Sequence, residues 1–266
     1  MIEELKLIAH KTVDAVHKKV KNSISTDFHK FGHTVGLGAD GTATKYIDKL
    51  AEDAAIDYIK KSKTKVNILS EEIGFIDNKG KYTFVLDPID GTRNAYRGIP
   101  FYSVSLAIGK SKISDVEYGI VKNIPTGDVF TAEKGHGAFL NGAKIGTPEI
   151  PDKEPLSSLA LGKNYDKVTI ALAKKDKVRS LGSASLEMCM VAIGALDYYV
   201  IGKEYLRVID IASSTLILRE AGGIVKNING AELDMAFDLH ERSSVVAACS
   251  EDAVKRIIAK KSKMIQ

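Results

Sequence analysis

Runs of strand-like segments sit between pairs of helical ones along this chain, and that order limits the folds open to it. Ile2, Leu5, Ile8, Ala9, Val13, Val16 and Val20 recur at helical spacing and predict one amphipathic helix to about residue 22. Asp48 and Glu52, among Ile47, Leu50, Ala51, Ala54, Ala55, Ile56 and Ile59, read as a second helix. The period then changes. VNIL, YTFVLD, FYSVSLAIG, VEYGIVKN, DVFTAEK and GAFLNG are short, β-branched or aromatic, and bounded by Gly, Pro, Asn or Asp. Ser157–Gly162 and Lys177–Gly182 read as further strands, ASLEMCMVAIGA and VIDIASSTLILREAGG as helices, and SSVVAACS as a strand before a last helix, EDAVKRIIAKK. Strands grouped between helix pairs imply packed layers, not the strict alternation of a TIM barrel. The expected fold is an α/β layered sandwich. Its N-terminal lobe would cover residues 1–150 and its C-terminal lobe 151–266, with the boundary at Pro151–Pro155.

One strand ends in an unusual way. YTFVLD runs into PIDGT, and Pro88 fixes φ and removes an amide donor, so the chain is expected to leave the ladder after Asp87. Asp90 then projects near Asp87, Gly91 permits a tight turn, and Thr92 begins a short helix. Two carboxylates, with the Ile89 carbonyl between them, would converge on one point. Asp-Pro and Asp-Gly are also common turn dipeptides, and an Asp before a helix is commonly an N-cap. SEEIG, Ser70 to Gly74, follows the strand VNIL; alone, its paired glutamates read as a solvated helix start. Together the two motifs say more, because neighbouring strand ends can bring Glu71 beside Asp87 and Asp90. Hard oxygen donors with no His or Cys nearby suit Mg²⁺ or Mn²⁺ and not zinc. Free amides of Gly91 and Thr92 at the helix start can bind phosphate.

Composition narrows the partners. With 266 residues and 44% hydrophobic composition the chain can bury a large core without disulfides. Cys189 and Cys249 are far apart, with no CxxC, and read as free thiols. The most apolar run, Leu186 to Gly202, is broken by Glu187 and Asp197, and MIEELKLIAHK is amphipathic and not a signal sequence, so a cytoplasmic protein without membrane contact is expected. A net charge of +4 arises from lysines scattered among acids, without interleaved aromatics, which argues against nucleic acid and for an anionic small molecule.

SEEIG, VLDPIDGTRN, VIDIASSTLILREAGG and GADGTATKYIDKLAE, in this order of chemistry and at these spacings, resemble the signatures of the inositol monophosphatase and fructose-1,6-bisphosphatase superfamily, its archaeal dual-activity members above all. The resemblance spans residues 38 to 250 and implies an αβαβα sandwich and Mg²⁺-dependent phosphomonoester hydrolysis of fructose 1,6-bisphosphate or inositol 1-phosphate, within carbohydrate metabolism and gluconeogenesis. It implies two or three Mg²⁺ per site, Mn²⁺ as a substitute, Li⁺ as an inhibitor, and a homodimer. Glu71, Asp87, the Ile89 carbonyl, Asp90 and Asp210 match its metal ligands. Asp48 matches the acid paired with the motif threonine, Thr92, which with Glu71 orients the attacking water. Asp90, Gly91 and Thr92, the segment Gly182, Ser183 and Ala184, and Arg179 match substrate positions.

Two departures bear on substrate. Ile209 precedes Asp210 where the family has tryptophan, and Lys203 stands where animal members carry an acid that binds an inositol hydroxyl. Arg179 and Lys203 are then expected to reach a second phosphate, with Arg207 a further substrate contact, which favours a bisphosphate. Adenosine 3′,5′-bisphosphate is the alternative substrate, and a catalytically silent metal- or nucleotide-binding regulator the alternative role. His29 and His33 lack a third ligand and read as loop residues, and Ser213 and Ser214 lack a His partner for nucleophilic chemistry. The polar, glycine-bearing segment Ser23–Gly41 is expected to be a mobile loop that closes over the site when metal binds.

Overall fold

The structure is a computed structural model that describes residues 2–148, 154–161 and 165–265. The first half of the chain runs α1 (Ile2–Asp27), β1 (Thr34–Leu37), β2 (Ala43–Lys45), α2 (Tyr46–Ser62), β3 (Asn67–Ser70), β4 (Gly74–Ile76), β5 (Thr83–Asp90), α3 (Thr92–Arg97), β6 (Ser103–Gly109), β7 (Tyr118–Asn123), β8 (Val129–Glu133), β9 (Gly137–Leu140) and β10 (Ala143–Ile145). The remainder runs β11 (Leu156–Leu159), α4 (Lys167–Ala173), β12 (Lys177–Arg179), α5 (Ala184–Ala192), β13 (Tyr198–Leu206), α6 (Val208–Glu220), β14 (Ile224–Lys226), β15 (Ser243–Ala248) and α7 (Glu251–Ile265).

Five layers result, in the order helices, sheet, helices, sheet, helices. An eight-stranded sheet has the order β10-β9-β8-β7-β6-β5-β3-β4, antiparallel except where β3 joins β5. A five-stranded sheet has the order β12-β11-β13-β15-β14. α1 and α2 cover the outer face of the larger sheet, α5 and α6 lie between the sheets, and α4 and α7 cover the outer face of the smaller one. α1 turns Leu5, Ala9, Val13, Val16 and Val20 inward, as an apolar stripe at 3.6-residue spacing requires. α5 and α6 have apolar residues all round, which suits a layer packed on both sides. Small side chains let that layer sit close: a Cβ on Gly119 of β7 would lie 2.8 Å from the Ser213 carbonyl oxygen of α6.

Several expectations are corrected. α1 continues to Asp27, because nothing between Asn22 and Gly32 breaks a helix and the Ser23 hydroxyl donates to the Lys19 carbonyl at 3.0 Å. The segment read as a mobile loop is therefore helix to Asp27, then a 3₁₀ turn over Phe28–Lys30 that contains His29, then the first strand of the β1–β2 hairpin. The strand through Asp87 does not stop at Pro88. β5 runs on to Asp90 through a bulge: Asp87 pairs with Ser105 and Asp90 with Ser103, so the extra residue absorbs the missing proline donor. α4 escaped the sequence reading. Its signal is a capping box in which Asp166 accepts from the Thr169 amide at 2.7 Å and Thr169 accepts from the Asp166 amide at 2.9 Å. β4, β10 and β14, of three residues each, are too short to show a period. Pro151 and Gly162 lie outside the described residues; Pro155 directly precedes β11. Both cysteines are buried and free. No helix among the described residues is long and apolar enough to cross a membrane.

Candidate active site

A cleft of about 550 Å³ opens where the ends of β5 and β13 meet the starts of α3, α5 and α6. Its lining includes Asp48, Glu71, Asp87, Ile89, Asp90, Gly91, Thr92, Gly182, Ala184, Arg207 and Asp210, so seven acidic, threonine and carbonyl positions singled out in the sequence share one cavity.

Each is aimed by an identifiable contact. The bulge in β5 sets Asp87 and Asp90 at the strand's end, where Asp87 accepts from the Ile89 amide at 3.0 Å. Gly91 follows at φ 92°, and a Cβ there would lie 3.1 Å from the Gly182 carbonyl, so glycine is needed for conformation and for space. Thr92 donates to Asp48 Oδ1 at 2.9 Å, with the Ile89 carbonyl at 3.1 Å as a second acceptor. Asp48 in turn accepts from the Lys45 amide at 3.1 Å as it opens α2. Glu71 sits past β3 on a turn held by Glu52, a buried side chain that accepts from the Ser70 hydroxyl at 2.5 Å and from the Glu72 and Ile73 amides at 3.2 and 3.1 Å.

Asp90 reaches across to α5. It accepts from Ser183 Oγ at 2.6 Å, Ser185 Oγ at 2.5 Å and the amides of Ser185 and Ala184 at 2.7 and 3.2 Å, which satisfies the first free amides of that helix. Ser183 is accordingly buried against Asp90 and does not face the cleft, unlike its neighbours Gly182 and Ala184. Asn94, on α3, ties the same segment down with bonds to the Leu181 and Phe101 carbonyls at 2.6 and 2.7 Å.

Arg207 departs from expectation. Its guanidinium lies among the acids, 2.5 Å from Glu71, 2.7 Å from Asp40 and 2.9 Å from Asp210, instead of facing outward to a substrate. Buried carboxylates outnumber this one guanidinium, and the surroundings of the acids reflect that. Burial, then the charges of Glu71, Asp90 and Asp210, push the Asp87 carboxyl well above its ordinary range; burial likewise raises Glu71 and Asp90. Asp48 is pushed up to about 7, by burial first. As the side chains lie, no three acids or imidazoles among the described residues form a ready coordination shell, and the positive charge between them is Arg207. The donor set is nevertheless all oxygen and short of cations, which fits a hard divalent ion.

Arg179 and Lys203 are exposed and lie outside the cleft lining. Arg179, on the edge strand β12, turns back to the Val178 carbonyl at 3.0 Å, and Lys203 sits over the Tyr165 ring at 5.6 Å. The cations that do line the cleft are Lys45, Arg93, Arg207 and Arg242. Ser213 and Ser214 bond to Ser105, Met188 and the Ile211 carbonyl in the packing of α6.

A model of the inositol monophosphatase family matches residues 1–266. The chain belongs to that family. It is 37% identical over 265 residues to the fructose-1,6-bisphosphatase/inositol-1-monophosphatase of Methanothermobacter thermautotrophicus, with 94% of each chain covered. It is 39% identical to the bifunctional NADP phosphatase/NAD kinase of Methanococcus maripaludis, aligning with 91% of this chain but 46% of that longer protein. Among solved structures, a Pyrococcus horikoshii protein with similarities to inositol-1 monophosphatase superposes with a TM-score of 0.84 at 33% identity, over 98% of this chain and 99% of that one.

Within this inositol monophosphatase-family chain, sequence reading missed a further buried acid. Glu187 of α5 accepts from Ser158 Oγ and from the Leu181 and Gly182 amides at 3.0 and 3.3 Å, and burial pushes it up to about 7. Its signal was in the sequence as a lone acid in the apolar helix ASLEMCMVAIGA, where a buried charge needs partners.

Proposed function

We propose that the chain is a Mg²⁺-dependent phosphomonoesterase acting on fructose 1,6-bisphosphate, inositol 1-phosphate or both. The observation that carries this reading is the cluster of buried carboxylates beside the Thr92–Asp48 pair in one open cleft. Glu71, Asp87, the Ile89 carbonyl, Asp90 and Asp210 would hold the metal. Bound there, Mg²⁺ would supply charge neutralisation for a phosphoryl group and lower the pKa of a water. The chain's own residues do the rest. Because the Thr92 hydroxyl proton is directed to Asp48, the Thr92 oxygen is left to accept from a water, which Glu71 orients from the other side. Gly91, Gly182 and Ala184 form the floor against which the phosphate rests, and Arg207 must leave the acids when the cation arrives.

Phosphate release from both substrates is the test, with Mg²⁺ or with a chelator. Mg²⁺-dependent release is expected, and Asp87→Asn, whose one named bond is from the Ile89 amide, should lower turnover about a hundredfold or more while the protein stays folded. Unchanged release by a folded Asp87→Asn protein would dismiss this site. A second reading, with NADP or adenosine 3′,5′-bisphosphate as substrate, draws on the likeness to the NADP phosphatase/NAD kinase; both compounds belong in the same assay. Homodimerisation and a cytoplasmic setting are part of the proposal by resemblance. A sedimentation mass equal to the 28.8 kDa chain would set the dimer aside.

A further inference from the structure

Two arginines come together at the rim of the cleft. β13 and β15 are antiparallel, with Leu206 opposite Ser243, so the next residues along, Arg207 and Arg242, stand beside each other at the end of the ladder. Like charges facing one another across a strand pair repel, and each needs an answering group. Arg207 has Asp40, Glu71 and Asp210. Arg242 has no carboxylate within ion-pair distance among the described residues. Its Nη1 donates to the Leu239 carbonyl and, at 3.1 Å, to the Glu241 carbonyl.

Those two bonds fix the side chain and leave its other edge unused. Nε and Nη2, the pair of donors that meets a phosphate or carboxylate side-on, reach no acceptor among the described residues, yet Arg242 is half-buried and lines the cleft. A guanidinium withdrawn from water beside a second cation, with a two-pronged donor edge empty, is arranged for an anion that the protein does not itself contain. Tyr205, 54% exposed, and Leu161, 42% exposed, line the same cleft and offer surface for the carbon frame of a ligand.

We propose that Arg242 binds the second, non-scissile phosphate of the substrate and so selects bisphosphorylated esters over monophosphates. The inference rests on the phosphomonoesterase reading above and assigns to Arg242 the role that sequence alone suggested for Arg179 and Lys203.

Steady-state kinetics on fructose 1,6-bisphosphate and inositol 1-phosphate decide it, for the wild type, Arg242→Ala and Arg242→Lys, each with its thermal transition recorded. In Arg242→Ala the ratio of kcat/KM for the bisphosphate to that for the monophosphate should fall about tenfold or more, through a rise in KM for the bisphosphate. Arg242→Lys should recover only part of it, since an ammonium brings charge but not the fork. An unchanged ratio overturns the subsite and leaves the phosphomonoesterase reading standing. A wild type that releases phosphate from neither compound overturns that reading, and the subsite with it. If the alanine variant does not fold, the ratio in Arg242→Lys, expected to fall by a smaller factor, decides instead.

Discussion

Replacing Asp90 by alanine removes two things at once: an acid of the cleft and the acceptor for the first amides and hydroxyls of α5. Asp90→Ala is therefore expected to lose activity and also about 1–3 kcal/mol of stability, read from denaturant unfolding, whereas Asp87→Asn, which removes a buried acid crowded by Glu71, Asp90 and Asp210, should lose activity without lowering the midpoint. Equal midpoints for Asp90→Ala and wild type would mean that the helix start is served by water. Glu187 supports a prediction about pH. Its ordinary value is 4.5 and burial lifts it to about 7 in the fold. The folded state thus holds the extra proton, so this contribution to stability is whole below about 4.5 and is lost as pH rises through about 7. Glu187→Gln should gain on the wild type by up to about 3 kcal/mol between pH 4.5 and pH 8 in urea unfolding, and parallel curves would refute the shift. At this scale the sequence was readable where chemistry is local: Asp87, Ile89, Asp90 and Thr92 lie within one turn of chain. Arg207 and Asp40 are 167 positions apart, and no spacing rule connects them.

The β1–β2 hairpin shows how composition can mislead at the scale of elements. Gly36, Gly38 and Gly41 suggested slack, yet the strands pair and the tip is strapped down: Ala39 donates to the Glu72 carbonyl at 3.0 Å, and Asp40 meets Arg207 at 2.7 Å. Burial works against ionising Asp40, but its bonds from Thr42 and the charge of Arg207 hold its carboxyl below the ordinary value. Losing that strap should matter. In Asp40→Ala, amides of residues 34–45 should exchange with deuterium about tenfold faster or more, with β5 and β6 unaffected, and uniform protection would show that the strap carries no load. The long helices and the longer strands were legible because each repeats its period several times. The bulge in β5 was not, since Pro88 signals only a lost donor and β6 decides how that loss is met.

Across the whole molecule, one apolar cluster joins the two sheets. Leu69 and Val85 from the larger sheet, Leu186, Met188 and Ile211 from the middle helices, and Tyr199 and Val245 from the smaller sheet belong to it. We expect a single unfolding transition by calorimetry, with the measured enthalpy equal to the van't Hoff value, and Leu186→Ala to lower stability by about 2–5 kcal/mol without splitting it. Two separate transitions would instead favour lobes that fold independently on either side of residue 150. Layering was legible from the order of elements. That β3 would lie beside β5, with β4 at the edge, was not, because pairing across a sheet is chosen by packing that no single segment records.

The meeting of Arg207 with Asp40 and Glu71 also sets a timetable. A chain emerging from the ribosome exposes Asp40 and Glu71 more than a hundred residues before Arg207 follows them out. Until then neither acid has the guanidinium it meets in the fold. Synthesis of the C-terminal part therefore delivers the guanidinium that holds Asp40 and Glu71, and a chain released early would leave both acids open to whatever cation is at hand.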